Sequence, residues 1–204
     1  MKSETESRTP AWLDDLAIAA GDHVIAIVSE DRDVDLLTSY YSPALEAGDP
    51  CVAVASPETA TEIAESLREA ELVGKTDLLT VHNPGQLGTR EDGNFDVEQF
   101  LARGGEDIGR LIENGATRIR HGGIMRWLDD VGVSDEDRIY LEARINQVIE
   151  GSCMSGFCVY DSRHIGGHLL VQLLRTHPKV LLDGRVIHNP FYTTPDKVIE
   201  ELGR

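Results

Sequence analysis

Short runs of apolar, mostly β-branched residues alternate along this chain with longer stretches of helical pattern. This alternation restricts the fold more than any other feature of the sequence. The clearest runs, residues 23–28 and 51–55, are almost continuously apolar, as expected of strands that are covered on both faces. Further strands are predicted at residues 78–81, 117–120 and 157–160.

Local signals at the helix ends and turns support this division. Ser56-Pro57 supplies an N-cap followed by a proline at the first helical position, and Ser134 with Asp137 has the form of a capping box. Asp183-Gly184, between two short apolar runs, is a strong hairpin signal. The predicted helices cover residues 34–45, 57–71, 96–113, 135–150 and 165–175.

Together these elements predict an α/β fold, a mostly parallel sheet with helices on both faces that ends in an antiparallel hairpin. Residues 1–20 are expected to form a flexible leader with a short helix at 11–20, and residues 21–204 a single domain. The start of the chain lacks the apolar segment of a signal peptide, and no apolar run is long enough to span a membrane. A cytoplasmic protein is therefore expected.

The charge of the chain is strongly acidic. There are 36 Asp and Glu residues against 19 Lys and Arg, a formal net charge of -17, and only four of the basic residues are lysines. Two interpretations stay open: an acidic surface that simply keeps the protein dispersed, or adaptation to high salt, which the scarcity of lysine favours. Either one disfavours direct binding to nucleic acid, which needs a basic surface.

Two kinds of site are disfavoured by the sequence. Residues 29–35, where a nucleotide-binding α/β protein carries its phosphate loop, contain no glycine-rich motif and several carboxylates. No cofactor is therefore expected. Cys51, Cys153 and Cys158 lack metal-type spacing, so reduced thiols are expected and no metal site is predicted.

Polar and aromatic groups recur at the predicted strand ends, where open α/β sheets build ligand sites. After the fourth strand, Gly122 and Gly123 would let the backbone approach a ligand, and Met125 and Trp127 would either line an apolar pocket or fill the core. The fifth strand ends at Tyr160 and Asp161, and His177 and the segment Asn189-Pro190-Phe191-Tyr192 follow.

Glu142 and Asn146 are four residues apart and share one helix face. If that face points inward, the buried carboxylate needs a partner, for which Arg120 or Arg118 is a candidate. A hydrolase built from Cys158, His177 and Asp161 is disfavoured, because catalytic cysteines usually lie at exposed turns or helix N-termini, whereas Cys158 lies inside an apolar strand. No catalytic residue is assigned.

The ordered series of these residues resembles the MEDS family, the methanogen/methylotroph sensory domain that also occurs in a dichloromethane-responsive regulator. The resemblance runs from about residue 23 to the end. It implies a RecA/KaiC-type domain without the ATPase loop that senses small organic molecules, hydrocarbon derivatives among them. One departure is Ile124, where the family has glutamate; another is Val28-Ser29, where an aromatic residue often ends the first strand. The residues that carry the resemblance are Arg120, Gly123, Met125, Trp127, Glu142, Asn146, Cys158, Tyr160, Asp161, His177, Pro178, Asn189, Pro190 and Tyr192.

The sequence thus predicts a non-enzymatic sensory domain that binds a small organic ligand and acts through a partner regulator or kinase. The alternative is a RecA-like adaptor that binds a protein and no small ligand; an enzyme that uses cysteine or carboxylate chemistry is less favoured. The residues expected to contact the ligand are Arg120, Met125, Trp127, Glu142, Asn146, Tyr160, Asp161, His177, Asn189 and Tyr192.

Overall fold

A computed structural model of the chain describes residues 18–29 and 31–204. Its centre is a seven-stranded sheet with the strand order β3-β2-β4-β5-β1-β6-β7, in which every pairing is parallel except that of β6 with β7. The predicted fold class is confirmed. The strands are β1 His23–Val28, β2 Cys51–Val54, β3 Leu79–His82, β4 Ile119–Ile124, β5 Met154–Asp161, β6 Lys179–Leu182 and β7 Arg185–His188.

Helices connect the parallel strands, and several begin at the predicted caps. The Ser56 hydroxyl accepts a hydrogen bond from the Thr59 amide at 3.2 Å, and the Ser134 hydroxyl accepts one from the Asp137 amide at 3.1 Å. A 3₁₀ helix, Val73–Leu78, precedes β3. The α-helices are α1 Asp33–Ala47, α2 Pro57–Glu69, α3 Pro84–Gly88, α4 Val97–Glu113, α5 Trp127–Asp130, α6 Asp135–Ile149, α7 Gly167–Thr176 and α8 Pro195–Glu201.

The sheet separates two apolar cores because successive side chains of a strand point to opposite faces. In β1, Val24 and Ala26 pack into the core beneath α1 and α2, whereas Ile25 packs into the core on the other face. This second core includes residues of α4, α6, α7 and α8. Glu142, the one carboxylate among the fully buried residues described, extends from α6 into this side of the protein.

Several elements of the structure were not predicted, among them the 3₁₀ helix before β3, α5 and α8. The segment 83–94, between the predicted strand at 78–81 and the predicted helix at 96–113, contains the short helix α3. Strand β4 continues to Ile124, so Gly122 and Gly123 lie inside the sheet and not in a loop after it. The predicted helix at 11–20 lies largely outside the described residues.

The hairpin between β6 and β7 is confirmed. Asp183 and Gly184 have φ angles of 47° and 75°, as a two-residue type I′ turn requires. No helix in the described part of the chain is long and apolar enough to cross a membrane.

Candidate functional site

Four side chains that bear donor atoms meet between the sheet and α6: those of His23, Glu142, Cys158 and His177. One donor atom from each lies within 4.8 Å of the other three, and all four residues are buried. We call this group the buried cluster. His23 opens β1, Cys158 lies within β5, Glu142 belongs to α6, and His177 follows the last residue of α7.

A glycine in β5 makes room for the cluster. Gly156 pairs with His23 on one side and with His121 of β4 on the other. A Cβ atom on Gly156 would lie 2.4 Å from Cδ1 of Ile149 and 2.8 Å from Cδ2 of His23. The absence of a side chain therefore lets the His23 ring lie against the sheet beneath α6.

The Glu142 carboxylate is held from both oxygens. The Tyr160 hydroxyl donates to Oε1 at 2.5 Å, while Oε2 lies 3.5 Å from Nε2 of both His23 and His177. Burial by itself would raise the pKa of Glu142, but the two imidazoles outweigh it and hold that pKa well below its ordinary value. Glu142 is consequently a buried carboxylate that favours its ionised form.

The His177 ring is oriented by the end of α7. Its Nδ1 lies 2.8 Å from the Leu173 carbonyl oxygen, an arrangement in which Nδ1–H donates, and 3.0 Å from Oγ1 of Thr176. When the ring is neutral, this arrangement leaves a lone pair on Nε2. Nε2 faces the cluster and has no hydrogen-bond partner among the described residues.

His23 and Cys158 complete the cluster. Nε2 of His23 lies 3.4 Å from Sγ of Cys158, and the His23 and His177 ring centroids are 4.1 Å apart. Burial, together with repulsion from His177, lowers the pKa of His23 to about 4, so its imidazole is neutral near pH 7. Burial and the nearby Glu142 charge raise the pKa of the Cys158 thiol well above its ordinary value.

Three of the predicted ligand residues surround the cluster. The Asn146 side-chain amide donates to the Tyr192 hydroxyl at 2.8 Å. Asn189 donates to the carbonyl oxygens of Leu174 and His177 at 2.6 and 2.8 Å, which holds the connection that carries His177.

A cavity of about 80 Å³ lies beside the cluster, between α4, α6 and the sheet. Its walls are mostly apolar, and it reaches the surface near Gly105 and Val148, which are both exposed. Two glycines of α4, Gly104 and Gly105, contribute no side chain to its wall. The other lining residues include Val52, Val54, His82, Phe100, Leu101, Ile108, His121, Ile145, Ile149 and Met154.

Two histidines, His82 and His121, are among the residues that line this cavity. Nδ1 of His121 and Nε2 of His82 are buried and have no hydrogen-bond partner among the described residues, although Nε2 of His82 lies 3.2 Å from Oδ2 of Asp107. Burial, with repulsion from His23 and His82, lowers the pKa of His121 to about 4. Burial also lowers the pKa of His82, as does the nearby Arg110. Both rings therefore favour the neutral form.

The ten predicted ligand residues do not share one location, and none of them lines this cavity. Glu142 contacts both Tyr160 and His177. Met125 and Trp127 are buried in the core, where Trp127 stacks on Phe100 with centroids 5.3 Å apart. As ligand contacts, all ten stay a prediction.

Arg120 and Asp161 also lie away from the cluster. The Arg120 side chain donates to the Tyr40 carbonyl oxygen and lies over the Tyr40 ring, on the face covered by α1. Glu142 is therefore paired with histidines and Tyr160, and the arginine partner expected for it is wrong. Asp161 pairs with Arg163 at the carboxyl end of β5.

The location of the cluster also differs from the expected one. Its histidines lie at the start of β1 and just before β6, near the amino ends of these strands and not at the carboxyl ends. At the carboxyl end of β1, Asp31 pairs with Arg163 and Asp33 pairs with Arg126. The described part of the β1–α1 turn thus presents paired carboxylates where a phosphate loop would place amide groups.

Sequence reasoning missed three site histidines: His23, His82 and His121. Each lies at a buried or part-buried position of a strand. For His23 and His82 the available signal was a position at the edge of an apolar run, since a buried imidazole needs a polar partner or a ligand. His121 lies between Arg120 and Gly122 and carries no such signal.

The fold and the site define a parallel α/β domain that has a closed polar cluster, a neighbouring apolar cavity and no glycine-rich phosphate loop. The family model described as "MEDS: MEthanogen/methylotroph, DcmR Sensory domain" matches residues 22–178, which is more than half of the chain. The chain belongs to this family of sensory domains. Comparison with curated proteins found no match.

Proposed function

We propose that this sensory domain detects a small, mainly apolar organic molecule that binds in the cavity between α4, α6 and the sheet. The observation that carries the proposal is the cavity itself, because its lining combines mostly apolar side chains with the imidazole side chains of His82 and His121. Binding sites for small molecules commonly combine apolar walls with a few polar groups that fix orientation.

The cavity volume limits the size of the ligand. An apolar cavity of about 150 Å³ accepts benzene, so a cavity of about 80 Å³ holds about three or four non-hydrogen atoms. Halogenated methanes and short alcohols fall in this range. Neutral imidazoles at His82 and His121 would favour a polarised but uncharged molecule over an anion.

Output through a partner regulator or kinase is part of the same proposal. Its support is membership in a sensory family. The adaptor alternative, in which the domain binds a protein without any small ligand, is less favoured because it gives no role to an apolar cavity with unpartnered imidazole atoms. High-salt conditions are likewise proposed for this protein, on the strength of its acidic, lysine-poor composition. A cytoplasmic location is proposed because its three cysteines are free thiols.

The test is a ligand titration of the folded protein in sealed cells. We expect dichloromethane to raise the melting temperature and to shift amide resonances of α4 and α6, and we expect benzene to have a much smaller effect because it is too large. Gly104→Leu places a side chain in the cavity wall and should abolish the response. Gly109→Leu makes the same change in the same helix, where the added Cβ also meets open space, and should preserve it.

Two results would overturn the proposal. One is a folded protein that responds to no halogenated methane or short alcohol. The other is a response that Gly104→Leu and Gly109→Leu retain equally, because binding would then occur elsewhere. In the first case, capture of a protein partner by the ligand-free domain would support the adaptor alternative.

A further inference from the structure

We infer that the buried cluster is a binding site for one zinc ion, with Nε2 of His23, Oε2 of Glu142, Sγ of Cys158 and Nε2 of His177 as its four ligands. This inference concerns a different group of atoms from the cavity and does not depend on the proposed sensing of an organic molecule. It rests on the spacing of the donor atoms, the orientation of His177 and the balance of charge.

Four of the six distances between the donor atoms fit a tetrahedral ion, and the other two, from Nε2 of His177 to Nε2 of His23 and to Sγ of Cys158, are no longer than 4.8 Å. Donors bound at about 2.0–2.3 Å around tetrahedral zinc lie about 3.3–3.6 Å from one another. In the cluster, Nε2 of His23 is 3.4 Å from Sγ of Cys158 and 3.5 Å from Oε2 of Glu142. Oε2 is also 3.6 Å from Sγ and 3.5 Å from Nε2 of His177.

The orientation of His177 is the second observation. Ligating histidines usually donate their other ring N–H to a backbone carbonyl or carboxylate, which aims the remaining lone pair at the metal. Nδ1 of His177 is 2.8 Å from the Leu173 carbonyl oxygen. Nε2 has no hydrogen bond among the described residues and is directed at Oε2 of Glu142, 3.5 Å away. Similarly, the Tyr160 hydroxyl occupies Oε1 of Glu142 and leaves Oε2 to face the other donors.

The balance of charge is the third observation that supports a zinc site. The residues are buried, so an uncompensated charge there would be costly. A Cys158 thiolate and a Glu142 carboxylate neutralise one divalent cation, and both histidines ligate as neutral imidazoles. On binding, the thiol proton of Cys158 leaves the site and is taken up by the buffer, while the S–Zn bond forms without any redox change.

The donor set selects zinc over harder cations. Two imidazoles, a thiolate and one carboxylate suit zinc, whereas magnesium and calcium prefer oxygen ligands alone. Four protein ligands leave no open position for water, so the site is structural and not hydrolytic. It would join β1, α6, β5 and the connection between α7 and β6.

A metal-free cluster is the competing state. The same positions would then be held by the hydrogen bond from Tyr160 and by a proton on Nε2 of His177, which would make an imidazolium–carboxylate pair with Glu142. This state predicts that the chain folds equally well with and without zinc and that Cys158 keeps its proton.

The experiment starts from the whole chain unfolded in denaturant with a chelator and a thiol reductant, then refolded without metal, with one equivalent of zinc, or with one of cobalt. We expect one zinc ion per chain after desalting and a higher melting temperature than in the metal-free sample. The cobalt form should show a thiolate-to-cobalt charge-transfer band and the intense visible bands of a tetrahedral ion. About one proton should be released per zinc bound, as measured by calorimetry in two buffers of different ionisation enthalpy.

Cysteine variants identify the thiolate. Cys158→Ser should lose the charge-transfer band and the bound zinc, whereas Cys153→Ser, which changes a part-buried thiol outside the cluster, should keep both. If Cys158→Ser does not fold, the double variant Cys51→Ser/Cys153→Ser decides the matter, because it leaves Cys158 as the only thiol and must retain the cobalt band. A folded wild-type chain that retains no zinc would overturn the inference. So would loss of the cobalt charge-transfer band in the Cys51→Ser/Cys153→Ser variant.

Discussion

The Tyr160 hydroxyl donates a hydrogen bond of 2.5 Å to Oε1 of Glu142, and both residues are buried. At the surface, the Tyr140 hydroxyl donates a hydrogen bond of nearly equal length, 2.6 Å, to Oε1 of Glu98. Both contacts join a tyrosine hydroxyl to a glutamate, but the exposed one also includes Arg144, which donates to Oε1 of Glu98 and to the Tyr140 hydroxyl. The exposed contact therefore serves as a reference for the buried one.

Tyr160→Phe should lower the free energy of unfolding by about 1–3 kcal/mol, because it leaves a buried carboxylate oxygen without its donor. Tyr140→Phe should change it by less than about 0.5 kcal/mol, since water replaces the lost contact and the ring remains. Denaturant unfolding at neutral pH measures both. Equal effects of the two substitutions would contradict the buried placement of Glu142.

His121 should make the protein sensitive to acid. The pKa of its imidazole is about 4 in the folded protein and 6.5 in the unfolded chain, so only the unfolded chain binds the proton between these values. Stability should fall as the pH decreases through this window, by up to about 3 kcal/mol from this residue. His121→Gln should reduce the loss, as measured by urea unfolding from pH 7 to pH 4.

The control for this pH series is His168→Gln, which changes an exposed histidine of α7. This substitution should leave the dependence of the free energy of unfolding on pH as it is in the unmodified protein. If His121→Gln also leaves that pH dependence unchanged, the His121 ring is not held in its neutral form by burial.

Gly122→Ala should destabilise the sheet. A Cβ atom at this position would lie 2.6 Å from the Phe157 carbonyl oxygen and 3.3 Å from the Tyr41 hydroxyl. Because both neighbours are packed in the core, we expect a loss of about 1–3 kcal/mol or more. Gly109→Ala, in the middle of α4 with open space around the new Cβ, should instead stabilise by about 0.5–1 kcal/mol. Thermal unfolding distinguishes the signs.

The acidic surface should make stability depend on salt. With a formal charge of -17, repulsion among carboxylates opposes the compact state and is screened by salt. We expect the melting temperature to rise between low and molar KCl, and sucrose at the same osmolality to reproduce only part of the rise. A melting temperature that does not change with KCl would remove the case for adaptation to high salt.

Features that depend on neighbouring residues in the chain could be predicted from the sequence. The caps at Ser56 and Ser134 and the turn at Asp183-Gly184 are local, because each is set by the side chains and φ preferences of a few consecutive residues. The mostly parallel sheet could be predicted because its strands are continuous apolar runs, as expected of strands covered on both faces. The order of the strands in the sheet could not be predicted, because every covered strand presents the same pattern to either neighbour.

The glycines of β4 show where local signals end. The sequence places Gly122 and Gly123 after the predicted fourth strand, where glycine would let the backbone approach a ligand. In the structure both lie in a strand, where a Cβ on Gly123 would come within 2.7 Å of the Val54 carbonyl oxygen. That neighbour belongs to β2, and only the folded sheet brings it there.

The sequence by itself determined the α/β class, the caps, the hairpin and the acidic charge, because these depend on composition and on short-range periodicity. The tertiary structure decided which polar residues meet. Glu142 could be expected to face inward, but its partners come from β1, β5 and the end of α7 and are distant in the chain. Their meeting depends on the strand order and on the space left by Gly156, neither of which has a signature in the sequence around Glu142.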